Sequence, residues 1–161
     1  MNTEDLLQAL AQRLGFEALR FDSDGICSLA FEERFTVTLE RRDETDTLYL
    51  YSTLGPAPED IIDQLTCFAA LLEANLFGRG AGGANLGFEP QSQTLMISRV
   101  LPLNQLNAGA LQNEFGLFVQ ATEAWCERVA ARFWEDPDAS EAREPVFNNS
   151  GNPGRTGFIK V

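Results

Sequence analysis

The stretch LLEANLFGRGAGGANLGFEPQSQTLMISRVLPL, Leu71–Leu103, decides the fold. It opens on the end of an apolar helix that runs from Pro58 to about Phe77, with Glu59 and Asp60 supplying first-turn charge. A glycine-rich turn follows. Asn85–Glu89 and Thr94–Pro102 then read as two strands of a hairpin around Pro90-Gln91-Ser92-Gln93, with Leu95, Ile97 and Arg99 alternating with Met96, Ser98 and Val100. Gly78, Gly80 and Gly83 have the spacing of a dinucleotide-binding loop. That loop works when a strand precedes it and a helix follows, because the pyrophosphate sits on the helix N-terminus. Here the order is reversed, so the glycines read as a helix cap and a tight return into a sheet.

Working backwards, the helix itself is unusual. Ile61, Leu65, Phe68, Leu72 and Leu76 form one stripe, Ile62, Cys67, Ala69 and Leu71 widen it, and Glu73 is the only charge between Gln64 and Gly78. A helix apolar over most of its circumference is buried on more than one side. In so small a domain, one of those sides is expected to be a second subunit. Upstream the period is two: ICSLAF (Ile26–Phe31) after the turn Asp22-Ser23-Asp24-Gly25, then FTVTLE from Phe35, then TLYLYS from Thr47, stopped by Gly55-Pro56. Three short strands with polar turns predict an antiparallel meander. DSDG lacks the remaining ligands of a calcium loop and reads as a turn. At the start, Leu6, Leu7, Leu10 and Leu14 share a helical face between Thr3 as cap and Gly15 as stop.

Downstream, Leu111, Phe115, Phe118, Thr122, Trp125 and Val129 recur at helical spacing within a helix expected over Ala108–Phe133, and core packing explains that seam. After Trp134 the chain turns acidic and then Gly- and Asn-rich. The expected division is therefore a domain over 1–134 and a flexible tail over 135–161. The element order is α-βββ-α-ββ-α, an α+β class with one twisted antiparallel sheet packed with helices.

Composition narrows the function. The 161 residues carry 24 acids and 12 bases, a formal charge of −12, and no histidine. Without residues 135–161 there remain 19 acids and 9 bases, a net −10, so the acidity belongs to the domain. Such charge argues against nucleic acid, which demands basic footprints, and against anionic lipid. Lack of histidine removes Ser-His-Asp and Cys-His pairs, HExxH zinc sites and any histidine base. Carboxylate catalysis by Glu32, Glu33 or Asp43 stays open as an alternative, although paired carboxylates need a cleft with opposed environments. Cys27, Cys67 and Cys126 are widely spaced and odd in number, so we expect buried reduced thiols. No basic leader and no segment approaching a membrane span is read in the sequence, which leads us to expect a cytoplasmic protein without membrane insertion.

The ordered elements, together with Glu73-Ala74-Asn75-Leu76-Phe77, Gly82-Gly83, Leu86-Gly87-Phe88, Leu101-Pro102 and the FxVxL strand at Phe35–Leu39, resemble the class I type III secretion chaperones, the Tir-chaperone or CesT-like family. The likeness covers residues 3–133. It implies a homodimeric, cofactor-free and metal-free chaperone of the Gram-negative cytoplasm, not an enzyme. Such a chaperone holds the N-terminal chaperone-binding segment of one or more effectors extended and soluble, without ATP, and hands it to the export apparatus and its ATPase. The resemblance implies a dimer contact on Leu65, Phe68, Leu72, Leu86 and Phe88. For cargo we expect Leu10, Leu14, Phe21, Phe31 and Phe35. The alternative is a same-fold regulatory protein that sequesters a regulator of secretion-gene expression, and both readings use the same surface.

Overall fold

The computed structural model describes residues 3–135. Helix α1 (Thr3–Leu14) ends where expected: Gly15 takes a left-handed φ of 79°. The Gly15 N–H donates to Gln12 O and the Phe16 N–H to Ala11 O, the paired bonds of a Schellman cap. Strands β1 (Ile26–Phe31), β2 (Phe35–Arg42) and β3 (Thr47–Pro56) form the expected antiparallel meander. The turn before β1 is held by Asp22 Oδ1, which accepts from the Asp24 and Ile26 N–H groups at 2.9 Å each.

Helix α2 spans Ile61–Asn75, β4 Asn85–Glu89, β5 Thr94–Pro102 and α3 Ala108–Ala130. The five strands lie in the order β1-β2-β3-β5-β4, all neighbours antiparallel. The fold class is therefore α+β as read from the sequence.

Four boundaries differ from expectation, the end of α2 at Asn75 rather than Phe77 among them, where a 3-10 turn over Leu76–Gly78 takes over. Gly55-Pro56 does not stop β3, which continues to Pro56 through a register shift between Thr53 and Gly55, with Gly55 at φ 146°. A Cβ there would meet Val129 Cγ1 at 2.8 Å, so glycine is what lets α3 lie on this part of the sheet. Helix α2 starts at Ile61 rather than Pro58, because Asp60 is the cap: its Oδ1 accepts from the Ile62 and Asp63 N–H groups. Helix α3 ends at Ala130, three residues early, where Arg132 turns left-handed before a short 3-10 turn at Phe133–Glu135. Of the expected tail over 135–161, all but Glu135 lies outside the described residues.

One face of the sheet carries the core. Cys27, Leu29, Val37, Leu39, Leu48, Leu50, Leu95, Ile97 and Leu101 are buried there, with the α3 seam and Leu6, Leu7 and Leu10 of α1 in the same cluster. The alternate residues, among them Thr38, Tyr49, Tyr51, Met96 and Ser98, are half-buried, and Ser28, Thr36, Thr53 and Val100 are exposed. Arg99 shares the helix-side face: it ion-pairs with Glu114 of α3 and donates to Gly82 O at 2.8 Å. That bond pins the glycine-rich turn to both sheet and helix.

Candidate functional site

Two surfaces stand out, and the first is the outer face of α2. Cys67, Ala70, Leu71 and Ala74 are buried, while Ile61, Ile62, Leu65, Leu72 and Leu76 are exposed. The small residues face inward and let the helix approach the sheet, which leaves most of the large aliphatics outside. This inversion explains the all-round apolar composition. Leu65 is 65% and Leu72 71% exposed. Phe68 and Phe88 are half-buried and touch each other, ring centroids 5.0 Å apart.

Leu86 departs from the expectation. At 6% exposure it belongs to the chain's own core and cannot offer its side chain to a partner. Its backbone serves another purpose: Asn75 Oδ1 accepts from the Leu86 N–H at 2.7 Å, and Asn75 Nδ2 donates to Leu86 O at 2.8 Å. This clamp ties the end of α2 to the edge strand β4. Sequence reading placed Ile61, Ile62 and Leu76 on the apolar helix without assigning them to the contact, and it left Phe77 as the helix end. The recurrence of Cys67, Ala70 and Ala74 was the signal that the large residues point away from the sheet.

Ile61–Gly78 is also apolar and long enough, by length and composition, to cross a membrane, although Asp63 and Glu73 interrupt its apolar run. Its α-helical part, Ile61–Asn75, is about 22 Å long against the ~30 Å of a hydrocarbon core. The buried stripe of Cys67, Leu71 and Ala74 packs in the domain's core cluster, with Ala70 buried beside it.

The second surface is a groove of about 460 Å³ between α1 and α3, lined by Leu10, Arg13, Leu14, Gly109, Gln112, Asn113, Phe115 and Gly116. Leu10, 1% exposed, is a core residue beneath its floor and, like Leu86, offers almost no side-chain surface, whereas Leu14 is half-buried at its side. Phe31 stacks on Phe35 with centroids 5.1 Å apart and lies 6.3 Å from Phe115. Of the five expected cargo residues, Leu10 and Leu14 line the groove with Phe115, while Phe31 meets Phe115 and Phe35 stacks on Phe31, neither of them in the groove lining. Phe21 does not join them: it sits under the Arg41 guanidinium, 5.5 Å from its ring centre, and Arg41 reaches Glu4 at the opposite end of α1.

The α3 side of this groove was missed, because the seam was assigned wholly to the core. Gly109 and Gly116, two helical turns apart, were the available signal. Glycine inside a helix costs about 1 kcal/mol relative to alanine, and a Cβ at Gly116 would meet nothing within 4 Å.

The carboxylates of the catalytic alternative do not converge on a cleft. Glu32 and Glu33 are exposed in the β1–β2 turn with left-handed φ, and Asp43 is exposed and paired with Arg41 at 3.0 Å. Cys27 and Cys67 are buried, whereas Cys126 is only half-buried, which corrects the third of the thiol expectations. Burial raises all three thiols, Cys67 to about 11. High values keep them protonated and poorly nucleophilic.

The sequence pattern of the Tir chaperone protein (CesT) family matches residues 5–126. The Tir chaperone of Citrobacter freundii is 28% identical over 122 residues, covering 75% of this chain and 75% of that protein, and the Tir chaperone of Escherichia coli O157:H7 matches to the same extent. Among solved structures, the HopA1–SchA chaperone–effector complex contains a chain of 25% identity and TM-score 0.62, with 77% of this chain and 92% of that chain covered. The ExsC–ExsE complex gives a TM-score of 0.64 at 23% identity, covering 77% and 90%, a likeness of fold. With α2, the Leu71–Leu103 stretch and the meander all inside the matched region, this chain belongs to the Tir chaperone (CesT) family.

Proposed function

We propose that the protein is a homodimeric, cytoplasmic type III secretion chaperone. It binds the N-terminal chaperone-binding segment of a secreted effector in extended form, without ATP, cofactor or catalysis, and without inserting in a membrane. The observation that carries the cargo half of this reading is the groove between α1 and α3, where Leu14 stands at the side of a floor backed by Leu10 and Phe115. An extended segment gains by laying apolar side chains in such a groove while its backbone adds to a sheet edge. The outer edge of β1 is free of a strand partner among the described residues. A net charge of −12 keeps an apolar-lined binder soluble.

The dimer half rests on α2. Ile61, Ile62, Leu65, Leu72, Leu76 and Phe77 together expose on the order of 800 Å², the amount each partner gives to a standard interface. Monomers seldom leave an apolar patch larger than about 300–600 Å² in water. Leu65, Phe68, Leu72 and Phe88 form the centre of this contact, with Leu86 supporting it from the core. Dimerisation doubles the cargo surface, which offsets the ordering entropy of an extended ligand. Handing the cargo to the export apparatus completes the role.

The test is affinity purification from the native host. We expect recovery of a larger secreted protein, held through its N-terminal region. Recovery of a transcriptional regulator with no secreted protein would instead favour the regulatory role.

A further inference from the structure

Phe77 has a backbone conformation that an aromatic residue rarely adopts. Its φ of 57° and ψ of 22° lie in the left-handed region, and its side chain is 79% exposed, the most open of the large apolar residues among those described. Strain of this kind persists only where the surroundings over-determine it. They do so here on both sides. Before Phe77, the Asn75 side chain is clamped to both backbone groups of Leu86. After it, the Gly80 N–H donates to Ala74 O at 3.0 Å, the Gly83 N–H donates to Gly78 O at 3.1 Å, and the Trp125 indole donates to Gly80 O at 2.9 Å. Gly80 lies so close to Ala74 that a Cβ would come within 2.6 Å of the Ala74 Cβ.

The turn therefore has one arrangement, and that arrangement pushes the Phe77 ring into solvent. Its nearest aid is the Arg79 guanidinium, 5.2 Å from the ring centre, which orients the ring without covering it. Among the described residues, no contact of the ring besides Arg79 repays the strain. The ring continues the exposed stripe of Leu72 and Leu76 at the end of α2, so its use lies with whatever covers that stripe.

We propose that Phe77 is a preorganised anchor of the homodimer, an aromatic held in a strained pose so that it enters the second copy. This rests on the α2 face being the dimer contact. The area argument for that face includes Phe77, whose ring is the largest single exposed apolar group on it. Aromatic anchors fixed before binding contribute disproportionately, because little ordering entropy remains to be lost.

The test compares Phe77→Ala, which keeps the backbone cost and removes the ring, with Phe77→Gly, which removes both. Sedimentation equilibrium should show both variants raising the dimer dissociation constant by roughly 30-fold or more. Thermal unfolding in a Leu65→Asp monomer should place Phe77→Gly about 3 °C above Phe77→Ala, the relief of a left-handed residue. Urea unfolding of both variants below their dissociation constants provides the same comparison without Leu65→Asp. Unchanged dimer affinity in both variants overturns the proposal while leaving the α2 dimer intact. Equal stability of the two variants overturns the strained pose. A wild-type protein that is monomeric at micromolar concentration overturns the proposal and the dimer reading together.

Discussion

Substituting Gly116 should make the fold more stable and the chaperone worse. Gly116 lies in the middle of α3 with an ordinary helical backbone, and an added Cβ finds no atom within 4 Å. Gly116→Ala therefore brings helix propensity without a clash, about 0.8–1.0 kcal/mol. At the size of this domain that is roughly 3 °C in the unfolding midpoint, measured at fixed protein concentration because a dimer's midpoint depends on it. The open space that makes the substitution harmless to the fold is the groove beside Leu10, Leu14 and Phe115. A larger side chain, Gly116→Leu, should remain folded and occupy that space. We expect it to weaken binding of a cargo N-terminal peptide at least tenfold by calorimetric titration, with Gly116→Ala in between. A loss of stability in Gly116→Ala would refute the geometry. Undiminished peptide binding by a folded Gly116→Leu would refute the groove as the cargo site.

Other expectations follow from single contacts. Asn75→Ala removes two hydrogen bonds at once and leaves Leu86 backbone groups at the base of β4 without their partners. A cost of about 2 kcal/mol is expected in urea unfolding, with the loss of amide protection concentrated in β4. Cys67, raised by burial to about 11, keeps its proton in the folded state at pH values where the unfolded chain has lost it. Stability should accordingly fall as pH rises from about 9 to 11, a fall that Cys67→Ala should diminish. At pH 8 the half-buried Cys126 should be modified by a thiol reagent well before Cys67.

How much of this could be read in the sequence is best seen in α2 and α3. Strand pairing was legible because the period of two in β1, β2 and β3 separates Val37, Leu39, Leu48 and Leu50 from Thr36, Thr38, Tyr49 and Tyr51. The seam of α3 was legible for the same reason, one face against one surface. Helix α2 was harder, since an all-round apolar helix has no polar face to mark outside. Its orientation was carried by size rather than polarity, with Cys67, Ala70 and Ala74 against the sheet and Leu65 and Leu72 away from it. Leu86 shows the converse limit. An apolar residue on an edge strand can face core or partner, and only the Asn75 clamp fixes which. The start of α2 moved from Pro58 to Ile61 because a cap is decided by a side-chain bond from Asp60, not by composition.

The cargo groove was half legible. Of the residues expected from the first helix and the meander, Leu10 and Leu14 line the groove, while Phe31 and Phe35 stack on each other outside its lining. Phe21 was chosen on the same grounds, yet it lies at the far end of α1 beneath Arg41, because hydrophobicity does not say at which end of a strand a side chain will be used. The opposite wall, Gly109 and Gly116, carries no apolar signal at all. It is recognised by what the helix forgoes.

The most direct test of the chaperone reading is co-expression of the protein with a secreted protein encoded beside it, followed by light scattering on the purified complex. Two copies of the 17.8 kDa chain should accompany one cargo molecule, and deleting the cargo's N-terminal segment should abolish the complex. A complex that survives that deletion, or one built on a single copy of this chain, would contradict the account.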